Sequence, residues 1–456
     1  MKPNIIMMIS HDSGKMFPSY GYQVEAPNFE RLANSSVQFD NYFCPSPQCS
    51  PSRGSILTGL YPHNNGLMGL AHLGFSISEN IKTLPMLLKN GGYETVLIGL
   101  SHETINEPPK IEDRIFSSTT ELGYENYIPV QGDRAPFVAN QAIDFLEKRS
   151  KDKPLYLNLG FFETHRDFDE YVPYADSIED VEVFNFLYDT TETREDVALF
   201  NGSLKVLDTA VGEIMDFVEN SSYKNNTIMI FTTDHGVPFP GAKGTLKETG
   251  LGTVLLIKLP GIEQPKLKKA LLCNVDLMPT ILELAGIERP TNIDGKSFAD
   301  LLTTSKDEGR EEFFTEMTWH DQYRPMRGIR TKEYSYVRNF EDGPKVYVTV
   351  DAHLSPSGEI MRDKFYVPNE SEELYDLSKD PEEQLNVINE PRYGEIAEAL
   401  RAKVEAWMQT TNDPLLEGPI KGHGSSRWEK EIAAGRAYPG KVEYEKRMKN
   451  KEKDLT

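Results

Sequence analysis

Cysteine is scarce: Cys44, Cys49 and Cys273 are the three in a chain of 456 residues. Three thiols do not make a disulfide framework, so the fold must rest on a buried apolar core. Positive charge is short as well. Lys and Arg total 49 against 71 acidic residues, a net charge of −22, which argues against nucleic acid or an anionic membrane as partner. No apolar run approaches the ~20 residues of a membrane span. Met1-Lys2-Pro3 leads straight into an apolar run, without the pattern of a signal peptide, and a cytoplasmic setting is expected. No internal repeat is present. An anionic substrate would have to be captured by local cationic groups or a metal ion, because the global field repels it.

What the chain does have is a 38 % hydrophobic composition and an alternation of strand-like and helix-like segments, which predicts an α/β fold. Asn4–Ser10 and Thr227–Thr232 are apolar runs of the kind buried in a parallel sheet, as are Thr95–Gly99, Leu155–Phe161 and Thr253–Leu259. Val37–Phe43 reads as one strand, and Thr193–Glu219 as a long amphipathic helix with a break near Gly202. A charged stretch at 307–312 marks a boundary. The expected organisation is a catalytic body over 1–309, a subdomain of short strands over 310–417 and a charged arm over 418–456.

Chemistry concentrates at strand ends, where open α/β sheets place ligands. His11-Asp12 follows the first run, His102 follows Thr95–Gly99, and His165 follows Leu155–Phe161. Asp234-His235-Gly236 follows Thr227–Thr232, with Gly241-Ala242-Lys243-Gly244 beyond it. Each alone also reads as a turn or a hydrogen-bonded surface residue. The fifth element is Cys49-Ser50-Pro51-Ser52-Arg53. Ser50 is the expected N-cap of a helix that Pro51 opens and Gly59 stops. This puts Cys49 at a helix N-terminus, with Arg53 one turn on and on the same face, an arrangement that favours an anion.

The string from Cys49 through Leu57-Thr58-Gly59 and Tyr61-Pro62-His63 to Gly66 resembles the signature of the type I sulfatases. The resemblance implies the alkaline-phosphatase-like sulfatase fold: a large mixed, mostly parallel sheet flanked by helices, with a smaller C-terminal α+β subdomain built on an antiparallel sheet. It implies that Cys49 is converted to formylglycine, whose hydrate attacks sulfur. Asp12, Asp234, His235 and the modified Cys49, with His11 as a further candidate, are then expected to hold one divalent cation. Oxygen ligands favour Ca²⁺ or Mg²⁺, and the two imidazoles leave Mn²⁺ open. Arg53 and Lys243 would steady the hydrate and the sulfate oxygens, His165 would protonate the leaving group, and His102 would act as the base that regenerates the aldehyde.

Two positions depart from the family pattern. His11 stands where an Asp is usual, and Leu100 where a sulfate-gripping Lys is usual. Each removes one charge, of opposite sign, so the departures could compensate. Cys-Ser-Pro-Ser-Arg, Gly236-Val237-Pro238-Phe239-Pro240, Pro325-Met326-Arg327 and Trp407 with Asn412-Asp413-Pro414 resemble in particular the N-sulfoglucosamine sulfohydrolases. A sulfated saccharide of glycosaminoglycan type is the implied substrate. A formylglycine-generating or anaerobic sulfatase-maturating enzyme is the implied partner, and a homo-oligomer is compatible with it. His320, Arg324 and Arg327 either read a sugar carboxylate or sulfate or form ion pairs between domains. Two alternatives compete: a phosphonate or phosphate monoester hydrolase of the same superfamily, and a non-catalytic sugar-binding relative with unconverted Cys49.

Overall fold

The computed structural model describes residues 2–104, 121–261 and 266–422, with Lys446 besides. The rest of the expected arm beyond residue 422 lies outside the described residues. The strands of the first part are, in chain order, β1 (Asn4–Ser10), β2 (Val37–Phe39), β3 (Tyr42–Phe43), β4 (Glu94–Gly99), β5 (Asn126–Ile128), β6 (Leu155–Gly160), β7 (Thr227–Thr233), β8 (Leu255–Lys258), β9 (Lys266–Lys268) and β10 (Leu272–Cys273). Eight of them form one sheet in the order β5-β4-β6-β1-β7-β8-β2-β9, while β3 pairs β10 separately. Pairing is parallel except where β8 meets β7 and β2.

Because side chains alternate along a strand, each buried strand feeds two cores. Ile6 and Met8 of β1 face the helices Ala135–Lys148 and Thr191–Glu219. Ile5, Met7 and Ile9 face the other layer, with the helix Leu277–Leu284. The register brings the ends of four strands level: Ser10 pairs with Thr233, Ile9 with Gly160, and Gly160 with Gly99. The segments that follow β1, β4, β6 and β7 therefore leave the sheet side by side along one edge.

Two expectations are corrected. The strand expected over Val37–Phe43 is divided into β2 and β3, because Asp40 and Asn41 turn away to bond the backbone of Lys268 and Lys269. The helix Thr191–Glu219 runs unbroken through Gly202. A Cβ there would lie 2.8 Å from the carbonyl oxygen of Tyr171, so the glycine serves close packing of the 3₁₀ segment Asp169–Tyr174 rather than a kink.

Beyond residue 310, β11 (Glu312–Trp319), β12 (Tyr323–Thr331), β13 (Tyr334–Asn339) and β14 (Glu372–Asp376) form a four-stranded antiparallel sheet. The helix Gly394–Thr410 packs on it, with Trp407 stacked on Phe314 at 4.6 Å between ring centroids. This layer is tied to the first by buried charge. Arg327, fully buried, bonds Asp413 through Nε and Nη2, and His63 bonds Glu316 through Nδ1 at 2.8 Å. Among the described residues no helix is long and apolar enough to cross a membrane.

Burial opposes protonation of His63, but Glu316 outweighs it and raises the imidazole above its ordinary value of 6.5. A raised folded-state value means stability that is complete below pH 6.5 and lost as pH rises through that raised value. Thermal unfolding between pH 6 and 9 should show this loss, and His63→Asn should remove that part of the slope.

Candidate active site

The segment expected to carry the nucleophile is held by its helix. Cys49–Thr58 is helical, with Gln48 as N-cap and Gly59 in the left-handed conformation at its end. The expected cap at Ser50 is therefore displaced by two residues. Proline is tolerated throughout a first turn whose N–H groups have no helical partner, so Pro51 does not fix the start. The Ser50 hydroxyl instead accepts from the backbone N–H of Ala71 at 3.0 Å. Ser52 anchors the helix to the end of β7: its Oγ donates to the Asp234 carbonyl and accepts from Asn274 Nδ2 at 2.8 Å.

Asp12 and Asp234 arrive from β1 and β7. Asp12 has φ +58°, a left-handed backbone that few residues other than glycine adopt. Its N–H donates to Asp234 Oδ1 at 2.9 Å, so one carboxylate helps to hold the other's backbone. A Cβ at Gly236 would meet the Thr249 carbonyl oxygen at 1.9 Å; only glycine lets the β7 loop pass so close. Donor atoms of His11, Asp12, Cys49, Asp234 and His235 all lie within 4.8 Å of one another. His235 Nε2 is 3.0 Å from Asp12 Oδ1 and 3.3 Å from Cys49 Sγ. Its Nδ1 donates to the Gly236 carbonyl at 3.0 Å, which leaves Nε2 facing the carboxylates. His11 joins the group, with Nδ1 2.7 Å from Asp12 Oδ1.

Each carboxylate also meets a permanent cation. Lys243 Nζ is 2.7 Å from Asp12 Oδ2, and Arg53 Nε is 2.9 Å from Asp234 Oδ2. Against the cost of burial, Lys243 and His11 hold Asp12 well below the usual carboxylate range, and His11, His235 and Arg53 lower Asp234. Burial likewise opposes a thiolate at Cys49, yet Lys243, His11 and His235 bring the thiol well below its ordinary value.

The remaining predicted residues are placed as follows. His165 donates from Nδ1 to the Arg166 carbonyl at 2.5 Å, and its Nε2 lies 3.3 Å from Lys243 Nζ. Burial and then Lys243 lower His165 to about 4, so at neutral pH the proton of this pair sits on Lys243. His102 stacks on His72, with Nε2 3.2 Å from His72 Nδ1, and its ring centroid lies 5.8 Å from that of His11. His320 is oriented by Asp321, whose Oδ2 lies 2.9 Å from its Nδ1. Arg324 and Arg327 are not brought to the site. Arg324 is buried against the 343–344 backbone, bonding the Pro344 carbonyl. Arg327 is taken up by Asp413 and the Met317 and Met326 carbonyls, the ion-pair reading of the two.

Sequence reasoning missed His72, Ser52, Asn274 and above all Asp351. Asp351 Oδ2 lies 3.2 Å from Lys243 Nζ and 3.7 Å from His165 Nε2. It belongs to the short helix Val350–His353, 108 residues after Lys243, with no motif around it to flag it.

The chain belongs to the sulfatase family: the family model "Sulfatase" matches residues 3–287, and "N-sulphoglucosamine sulphohydrolase, C-terminal" matches 242–359. It is a sulfuric ester hydrolase, similar to the N-sulfoglucosamine sulfohydrolases. It is 27 % identical to human N-sulphoglucosamine sulphohydrolase, over 91 % of this chain and 92 % of that protein. It is 30 % identical to an ulvan-active sulfatase of Formosa agariphila, over 92 % and 82 %. Among solved structures, BT4656 with its substrate D-glucosamine-2-N,6-O-disulfate superposes at TM-score 0.69 and 20 % identity, covering 92 % of this chain and 99 % of that one. The phosphonate monoester hydrolase of Agrobacterium radiobacter does so at 0.70 and 17 %, covering 90 % and 96 %. These two likenesses concern the fold.

Asn274→Ala would leave the Ser52 hydroxyl without the donor that holds it. The expected cost is about 1–3 kcal/mol of stability, read from denaturant unfolding. Turnover of an aryl sulfate should fall with it, because the start of the nucleophile helix loses its anchor.

Proposed function

We propose that this sulfatase removes a sulfate group from a sulfated saccharide of glycosaminoglycan type, an N-sulfoglucosamine or an O-sulfated hexosamine. The reading uses formylglycine at residue 49 and one divalent cation. The observation that carries it is the convergence of His11, Asp12, Cys49, Asp234 and His235 within 4.8 Å. The similarity to human N-sulphoglucosamine sulphohydrolase and to an N-acetylglucosamine-6-O-sulfatase of Bacteroides thetaiotaomicron supports the substrate class.

The donor set fits a cation. Two carboxylates supply hard oxygen ligands, which favour Ca²⁺ or Mg²⁺, and the imidazoles of His235 and His11 admit Mn²⁺. Asp234, Cys49 and Asp12 draw a proton onto both rings against the cost of burial, raising His11 to about 9 and His235 well above its ordinary value, and a bound cation would take the place of that positive charge. The cation would supply charge neutralisation at the sulfate oxygens and ease ionisation of the residue-49 hydroxyl. The chain's own groups do the rest. Arg53 holds Asp234, while Lys243 holds Asp12 and faces the sulfate oxygens. The leaving oxygen or nitrogen takes its proton from the Lys243–His165 pair, whose proton rests on Lys243. His102, whose ring lies 5.8 Å from that of His11, removes the proton that frees the product sulfate.

The test is sulfate release from defined heparin-derived saccharides, with N- and O-sulfate scored separately. The enzyme should come from a host that carries a maturation system, and mass spectrometry should establish the state of residue 49. Chelation should abolish turnover and Ca²⁺, Mg²⁺ or Mn²⁺ restore it; Cys49→Ala should release no sulfate. Lys243→Met should lower kcat on the order of 10²–10³-fold, the effect of losing a donor to developing charge. Faster cleavage of aryl phosphonate than aryl sulfate esters would favour the phosphonate hydrolase reading. An unconverted, inactive Cys49 that still binds sugar would favour the binding one.

A further inference from the structure

A cleft of about 450 Å³ opens beside the buried centre, lined among others by His165, Asp167, Asp169, Asp351, Leu354 and Pro356. It meets the centre at two residues that both contact Lys243, namely His165 at 3.3 Å and Asp351 at 3.2 Å. A group leaving the sulfate beside the Lys243–His165 pair would leave into this cleft. Its one nearby arginine, Arg166, is already spent: both terminal nitrogens bond Asp196, at 2.6 and 2.8 Å, and Nε donates to the Pro238 carbonyl. Lys243 is 1 % exposed and turned toward the centre, while the Asp351 side chain keeps 22 % of its surface. Asp167 and Asp169 are exposed. The leaving-group side therefore presents carboxylates and apolar surface, and no available cation among these residues.

Asp351 is held rigidly in this place. At one end of its segment, Asp321 Oδ2 accepts from the backbone N–H of Val350 at 2.8 Å while also binding His320. At the other end, Asp196 Oδ2 accepts from Ser357 Oγ at 2.6 Å. Two separate acidic residues thus pin the chain on either side of Asp351, and such preorganisation is what a discriminating contact requires.

We propose that Asp351 selects the leaving sugar: its carboxylate accepts a hydrogen bond from a hydroxyl or ammonium group there and disfavours a saccharide that carries a second anionic group on that side. A carboxylate accepts and does not donate, so it rewards a donor and repels a carboxylate or sulfate. The low-dielectric surroundings of the half-buried group strengthen both effects. The inference rests on the sulfated-saccharide reading above and narrows it to sugars with a single anionic group near the scissile bond.

The experiment uses the matured full-length enzyme. Sulfate release is measured from glucosamine carrying one sulfate, N- or 6-O-linked, and from the same sugar carrying both. The wild type should favour the monosulfated sugar in kcat/KM. Asp351→Asn should shrink that preference at least tenfold, while Asp351→Glu, which keeps the charge, should retain most of it. A merely structural role would lower both rates together and leave the ratio alone. An unchanged ratio in Asp351→Asn overturns the proposal while leaving the sulfated-saccharide reading intact; no release from any of these sugars by the wild type overturns the proposal together with the glucosamine sulfate as substrate. Should Asp351→Asn release nothing, calorimetry of glucosamine against glucosamine 6-sulfate reads the same preference without turnover. A wild-type preference for glucosamine that the variant loses supports the proposal, and equal preferences overturn it.

Discussion

Two fully buried carboxylates, Asp12 and Asp234, set the terms for the rest of the molecule. Neither could stay ionised in that position alone, since an isolated buried charge shifts its pKa and neutralises instead. Each is therefore met from outside by one permanent cation, Lys243 or Arg53, on its Oδ2. Each faces the imidazoles of His11 and His235 on the inner side. Asp351 adds a third carboxylate against those two permanent cations. The centre is thus one positive charge short of balance before its imidazoles are counted, a composition suited to attract a cation. An aspartate at position 11 would deepen that deficit by one more charge, which gives the histidine there a physical rationale.

Holding such charges together requires a frame that does not relax. The level ends of β1, β4, β6 and β7 supply it, because parallel pairing fixes where each following loop begins. The left-handed turn at Asp12 is a local cost of the kind that surrounding structure must over-determine. Here its N–H is bonded to Asp234, and the next N–H, of Ser13, to Thr233 Oγ1. The antiparallel layer is part of the same frame. Through Glu316 it grips His63, just beyond the Cys49–Thr58 helix, and through Asp351, between β13 and β14, it meets Lys243. Function is therefore shared between the two layers, although the residues that do most of the charge work come from the first.

Much of this was legible because its signals are local. An apolar run followed closely by Asp identifies β1 and β7 and the carboxylate, Asp12 or Asp234, that leaves each. A Cys, a Pro and an Arg at helical spacing, closed by Gly59, identify the nucleophile helix to within two residues at its start. Asp351 had no such signal, since its partner Lys243 is 108 residues away and a three-dimensional contact leaves no periodicity behind. Arg324 and Arg327 show the opposite difficulty. Arginine beside histidine in a sequence suits an anion site and a buried ion pair equally, and only the position of Asp413 decides for Arg327. The division of Val37–Phe43 into two strands was hidden for a related reason: strand pattern reports burial, while the change of pairing partner depends on where β9 and β10 lie.

The contrast between a chain of net charge −22 and a substrate that is itself an anion then finds its explanation in distance. At physiological ionic strength, charges farther apart than about 8 Å are largely screened, so the distant acidic surface contributes little once a sulfate reaches the centre. What it governs is approach: long-range steering is absent or unfavourable, and a heavily charged polymer is repelled before it docks. Selectivity and affinity must both come from contacts made at van der Waals distance inside a desolvated pocket, which the proposed function assigns to Lys243, the His165 ring and the groups around residue 49. On the reading proposed above, such a site gains most from a small, lightly charged sugar, whose single sulfate pairs with Lys243 while its hydroxyls meet carboxylates. The acidic exterior and the carboxylate at the leaving-group side act in the same direction, one during encounter and the other on contact.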